Sequence, residues 1–154
     1  MKLIKKSTLL FLFIITTCLA VFNVMADSGI KKNDQKLQIK VDQSGCAKSV
    51  DVISLVDNCQ GSQFEGSCGK NGKDCVCMQN QKFVSWEITN GSRFELQFVG
   101  ASPFKANCKE KSGNNAKIRC KIDSPDGDYE YNVIVETCPG QVYDPKIVIR
   151  TSGR

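Results

Sequence analysis

The sequence contains no histidine, and that absence excludes more than any residue present. Without an imidazole there is no Ser-His or Cys-His nucleophile, no histidine acid–base catalyst and no histidine-bearing zinc or copper shell. A Cys-x-x-Cys pair, a phosphate-binding glycine loop, a dinucleotide fingerprint and a Gly-x-Ser-x-Gly elbow are also missing. There is one tryptophan among 154 residues, and no repeat or low-complexity stretch. The expectation is a chain that is not an enzyme and carries no cofactor.

What is present begins with a targeting pattern. Lys2, Lys5 and Lys6 form a positive start, Leu9 to Phe22 an apolar run, and Val24-Met25-Ala26 the small residues that a signal peptidase inspects. The run falls short of the ~20 residues that span a bilayer. Residues 1–26 therefore read as a cleaved signal peptide and the destination as secreted or periplasmic, with no stable membrane span after cleavage. An uncleaved anchor and a lipoprotein attached through Cys18 are the rivals. The second is disfavoured by Ile15-Thr16-Thr17, which offers no small residue before the cysteine. Cleavage removes three lysines, so Lys+Arg falls from 21 to 18 against 16 acids and the net charge from +5 to +2. Global charge then gives no reason to expect nucleic acid.

Cys18 leaves with the signal and eight cysteines remain: Cys46, Cys59, Cys68, Cys75, Cys77, Cys108, Cys120 and Cys138. An even count in an exported chain reads as four disulfides, although about a hundred pairings are possible. Cys75 and Cys77 lie too close in sequence to pair without strain, so each needs another partner. Cys108 and Cys120 flank the polar Lys109–Arg119 stretch and suit a bridge that closes a loop. The alternative for Cys75-Val76-Cys77-Met78 is a thiol-redox or Cu(I)-handling site, since thiolates and thioethers are soft ligands.

Beyond a polar segment at 27–35, read as a flexible N-terminal arm, period-2 alternation dominates. Leu37, Ile39 and Val41 share one face of a first strand, and Val50 to Val56 suits a second. Lys82–Thr89 and Arg93–Val99 flank Asn90-Gly91, a hairpin signal. Lys117–Ile122, Tyr129–Glu136 and Lys146–Arg150 complete about seven strands, a spacing typical of two-sheet folds. Residues 36–154 are expected to form a single all-β domain, an antiparallel two-sheet sandwich stapled by disulfides. Trp86 belongs in its core. Tyr129, just after a glycine turn, is placed to cap a corner through its hydroxyl. Asp123, Asp126 and Asp128 read as turn residues, because no calcium-loop spacing accompanies them.

The segment Gly127-Asp128-Tyr129-Glu130-Tyr131-Asn132-Val133 resembles the PG-x-Y-x-Y segment of cupredoxins, which precedes their copper loop. Trp86-Glu87-Ile88 before a Phe-rich strand is similar to the same superfamily. Tyr143-Asp144-Pro145-Lys146-Ile147-Val148-Ile149 looks like the close of small bacterial cupredoxin-like or immunoglobulin-like domains of unassigned function. The resemblance covers residues 82–150 and implies a sandwich. It departs from the family where the chemistry lies, since valine stands near Val133 where a ligand cysteine is expected and no histidine exists. A type 1 copper centre is thereby excluded, and the fold alone assigns no function.

One charge cluster remains. Lys105, Lys109, Lys111, Lys117, Arg119 and Lys121 fall within seventeen residues that hold a single acid, Glu110. On a strand, Lys117, Arg119 and Lys121 share one face as a basic stripe. Such a stripe suits an acidic glycan, a lipid headgroup or an acidic protein partner, or it is simply a solvated edge guarded against aggregation. The interleaved aromatics of a nucleic-acid platform are missing. The leading expectation is an exported binding module, with the loops Gly61–Asp74 and Ser102–Ala116 and the basic stripe as its contact surfaces. A secreted inhibitor or toxin is the further alternative.

Overall fold

The computed structural model describes residues 34–60, 64–68 and 74–151. The expected signal peptide 1–26, residues 27–33 of the expected arm and most of the Gly61–Asp74 loop lie outside the described residues. Eight strands follow in order: β1 (Gln35–Val41), β2 (Ala47–Val52), β3 (Cys75–Met78), β4 (Phe83–Ile88), β5 (Phe94–Phe98), β6 (Lys117–Lys121), β7 (Gly127–Val135) and β8 (Lys146–Ile149). They form two four-stranded sheets, β2-β1-β4-β6 and β3-β8-β7-β5. The all-β two-sheet sandwich is as expected. No helix among the described residues is long and apolar enough to cross a membrane.

The pairing is mixed rather than wholly antiparallel, because β1 runs parallel to β4 and β3 parallel to β8. The cause is a chain that changes sheet between sequence neighbours. Asn90-Gly91 makes its turn, with Gly91 at a φ of 73°, yet β4 and β5 do not form a hairpin. Trp86 on β4 and Phe94 and Leu96 on β5 all enter one core from opposite sheets. The connection therefore crosses the sandwich, and burial of these large side chains overrides the local turn preference.

Two boundaries also differ from the alternation. The arm ends earlier than expected, since Asp34 and Gln35 are buried and Gln35 already belongs to β1. The Asp34 carboxylate accepts the Phe83 amide at 3.0 Å and the Gln35 side chain donates to the Val56 carbonyl at 3.1 Å. The second strand is displaced to Ala47–Val52, and Ile53, Leu55 and Val56 are 39, 105 and 67 % exposed. The ladder with β1 runs out here, with the Ile53 amide donating to the Lys36 carbonyl at 2.8 Å. The Lys36 amide is instead taken by Ser54 Oγ at 2.6 Å, and the chain turns away.

The main core is built on the inward residues of both sheets, with Trp86 and Tyr131 its largest members. Trp86 Nε1 donates to Tyr131 Oη at 3.0 Å, which satisfies two polar groups that burial would otherwise orphan. Tyr129 caps its corner by donating to the Pro125 carbonyl at 3.0 Å, four residues upstream. The aspartates near it are engaged separately and do not converge: Asp123 accepts from Gln81, Asp126 from Thr151 and Asp128 from Arg150.

Four disulfides form, Cys46–Cys138, Cys59–Cys77, Cys68–Cys75 and Cys108–Cys120. Cys75 and Cys77 do not pair with each other. They lie on the face of β3 that packs with Phe64 and Val148 in a second, smaller core, while Val76 and Met78 enter the main one.

Candidate functional site

β6 is an edge strand, and its alternation divides its side chains cleanly. Ile118 and Cys120 are buried, whereas Lys117, Arg119 and Lys121 stand on the outer face. The Ser102–Ala116 segment folds back alongside. It pairs with the end of β6 through the Lys105 amide and the Lys121 carbonyl at 3.1 Å, and with β5 through the Leu96 amide and the Glu110 carbonyl at 2.8 Å. Cys108–Cys120 then fastens the segment to β6. One stretch of chain thus pairs with β5 and with the end of β6, the edge strands of the two sheets.

Between this wall and the stripe lies a groove of about 450 Å3. All six basic residues singled out in the sequence line it: Lys105, Lys109, Lys111, Lys117, Arg119 and Lys121. No carboxylate lines it. Three acids outside the lining reach these cations, and two of them meet lysines: Glu95 approaches Lys111 at 3.4 Å and Glu87 approaches Lys117 at 3.5 Å. Both pairs involve solvent-exposed ammoniums, so they are weak and readily exchanged. Positive charge is concentrated here.

Arg119 is held more firmly. Its guanidinium carbon lies 4.4 Å from the centre of the Phe83 ring, and Nη2 is 3.6 Å from Asp34 Oδ2. That carboxylate oxygen is buried and accepts no hydrogen bond among the described residues, so the nearby positive charge is its compensation. A neighbouring cleft of about 280 Å3 shares Phe83, Lys117, Ile118 and Arg119 with the groove and holds Asp34 and Glu87.

Phe83 and Asp34 escaped the sequence reading, although one signal for Phe83 was available. Val84, Trp86 and Ile88 point inward on β4, so Phe83 must point outward, where an aromatic is out of place unless something covers it. Asp34 carried no such signal, because only tertiary contact buries it.

The sulfur-rich segment is arranged otherwise than its sequence suggests. Cys77 and Met78 face opposite sides of β3, so Cys75, Cys77 and Met78 cannot close on one ion. The sulfurs that do converge are those of Cys59, Cys68 and Cys77, all within 4.8 Å of one another. Cys68 Sγ lies 3.3 Å from Cys59 Sγ and 3.2 Å from Cys77 Sγ, which brings the Cys59–Cys77 and Cys68–Cys75 disulfides into side-on contact. As disulfides these sulfurs offer no thiolate to a metal.

Val133, near which the sequence resemblance led one to expect a ligand cysteine, is fully buried in the main core, paired with Leu96 and bridged to Tyr143. Among the described residues it belongs to no group of His, Cys, Asp or Glu side chains that could hold a metal.

No protein-family model matches the sequence, and no curated protein does. Among solved structures, the chain is similar to three mutants of amicyanin. One, a proline-to-glycine mutant in its reduced Cu(I) form at pH 4, shows 10% identity and a TM-score of 0.41 over 80% of this chain and 88% of that one. A proline-to-phenylalanine mutant in the reduced state gives 10% identity and a TM-score of 0.40 over the same shares. A methionine-to-glutamine Cu(I) mutant gives 11% and 0.38 over 79% of this chain and 96% of that one. All three likenesses lie below a TM-score of 0.5.

Proposed function

We propose that this protein is an exported, non-catalytic binding module that holds an anionic partner in the groove between β6 and the Ser102–Ala116 segment. The observation that carries the reading is the lining itself, six cations with no carboxylate among them. Such a surface attracts anions at long range and keeps them by exchanging two loose ion pairs. Export is supported by the signal-like residues 1–26 and by four disulfides, which form and persist in oxidising compartments. On this reading the sandwich is a cupredoxin-like scaffold that serves as a frame and not as a copper site.

The test compares two triple variants of equal net charge. Lys105→Glu/Lys109→Glu/Lys121→Glu reverses the groove, and Lys40→Glu/Lys48→Glu/Lys82→Glu reverses charges outside its lining. Binding of dextran sulfate, followed by calorimetry at moderate salt, should vanish in the first and persist in the second. Equal loss in both would reduce the effect to net charge and sink the reading.

A second reading rests on the Cys59, Cys68 and Cys77 sulfurs. Once reduced by a dithiol they would present three thiolates close enough for one Cu(I). It requires free thiols in the exported protein, and alkylation under non-reducing conditions checks that directly.

A further inference from the structure

We infer that the occupant of the groove is a linear acidic glycan, recognised by its density of charge; the inference rests on the anion-binding reading above. The first reason is the kind of cation. Five of the six are lysines. The one guanidinium, which would supply a planar fork for a single carboxylate or phosphate, already lies over Phe83 and beside Asp34. The remaining ammoniums are compact point charges, each with three donors and no preferred plane. They suit many anionic groups spread along a chain better than one group held in fixed geometry.

The second reason is their layout. Lys117, Arg119 and Lys121 alternate along β6, so successive charges on that row are about 6.6 Å apart. Lys105, Lys109 and Lys111, carried by the adjoining Ser102–Ala116 segment, line the same groove. A row extended by further cations makes a track, which fits a polymer, rather than a socket.

The third reason is what the track lacks. Phe83 is its one aromatic lining residue and Arg119 covers the ring, while Trp86 is buried in the core, so no aromatic face is open for stacking bases. The exposed large apolar residues, Ile53, Leu55, Val56, Val99 and Val142, are all absent from the lining, so the apolar wedge that accompanies basic residues at a lipid surface is missing. The floor does contain Ile118 and the Cys108–Cys120 bridge beside the polar Asn107. Sugar rings match that floor, since their hydrogen-bearing faces pack on apolar atoms while their hydroxyls meet polar ones.

The experiment titrates the full mature protein with five probes matched in total charge: dextran sulfate, alginate, poly-glutamate, a single-stranded oligonucleotide and phosphatidylglycerol vesicles. Salt is varied from roughly 50 to 300 mM. The two glycans should bind at least tenfold more tightly than the other three, and their difference tells sulfate from uronate. By analogy with single-stranded polyanions, each lysine engaged contributes about 0.7 to the slope of log K against log salt. Engagement of five predicts a slope near −3.5, and Lys109→Gln/Lys121→Gln should flatten it by about 1.4 with the thermal transition unchanged. Poly-glutamate, oligonucleotide or vesicle binding equal to or tighter than the glycans overturns the glycan assignment and leaves the anion-binding groove standing. Failure of all five probes overturns both.

Discussion

Cys108 and Cys120 join the wall of the basic groove to its floor, the first in the Ser102–Ala116 segment and the second buried in β6. The bridge closes a loop with a sequence separation of 12, for which the chain-entropy account gives about 3 kcal/mol. Cys108→Ser/Cys120→Ser should lower the unfolding free energy by that order in urea titrations. It should also weaken polyanion binding at a temperature where the variant is still folded, because three of the lysines ride on the released wall. Unchanged affinity in a folded variant would mean that the bridge serves stability alone.

The Trp86–Tyr131 pair yields a sharper energetic test. Tyr131→Phe leaves the Trp86 indole N–H without its acceptor inside the core, and a cost of about 1–3 kcal/mol is expected. Trp86→Phe costs more, about 3 kcal/mol, since it also opens a void. In the double variant no polar group is stranded, so the summed losses should exceed the measured one by about 1 kcal/mol. Strict additivity would show that the hydrogen bond contributes little. Burial raises the Tyr131 hydroxyl pKa well above its ordinary value, so tyrosinate absorbance from this residue should appear only with unfolding.

Acid should loosen the end of the molecule where β7 meets β8. Burial alone would raise the Asp128 pKa, but hydrogen bonds from Arg150 and Lys146 outweigh it and hold the carboxylate below its usual range. The Glu136 pKa is lowered by its hydrogen bond from Arg93. A carboxylate whose folded pKa is depressed stabilises the fold above its unfolded pKa, about 4. That stabilisation is lost as pH falls through the lower folded value. Thermal stability should therefore hold from neutrality to about pH 5 and decline below pH 4, and Asp128→Asn should remove part of the decline. An undiminished decline in that variant would assign it to other carboxylates.

The sulfur cluster makes a prediction by mass. The eight cysteines from Cys46 to Cys138 are all in disulfides, so the oxidised protein should resist alkylation at these positions until reduced and weigh eight hydrogens less than its reduced form. Two reactive thiols mapped to the Cys59, Cys68, Cys75 and Cys77 set would favour the thiol-redox reading instead. Cu(I) titration of the mildly reduced protein would follow.

Much of this arrangement is visible in the residues alone. The alternation of Leu37, Ile39 and Val41, the interior place of Trp86, the corner role of Tyr129 and the outward stripe of Lys117, Arg119 and Lys121 all follow from period and turn chemistry, which are local. What is not visible is which sheet each strand joins. Asn90-Gly91 specifies a turn but not whether the chain returns to its own sheet, and only the shared core of Trp86 with Phe94 decides that. β3 is too short to show alternation against its cysteines. Lys105, Lys109 and Lys111 are neighbours of the stripe in sequence, but the groove exists only because a disulfide and backbone pairing to two different strands fold the segment back.

That segment has a consequence for how such a protein can change. Its position is held by main-chain hydrogen bonds to β5 and β6 and by Cys108–Cys120, and none of these depends on the lysine side chains. Substitutions that rewrite the charge pattern therefore need not disturb the framework that displays it. A lineage built on this frame is free to drift from one ligand to another by single exposed replacements, each nearly neutral for folding.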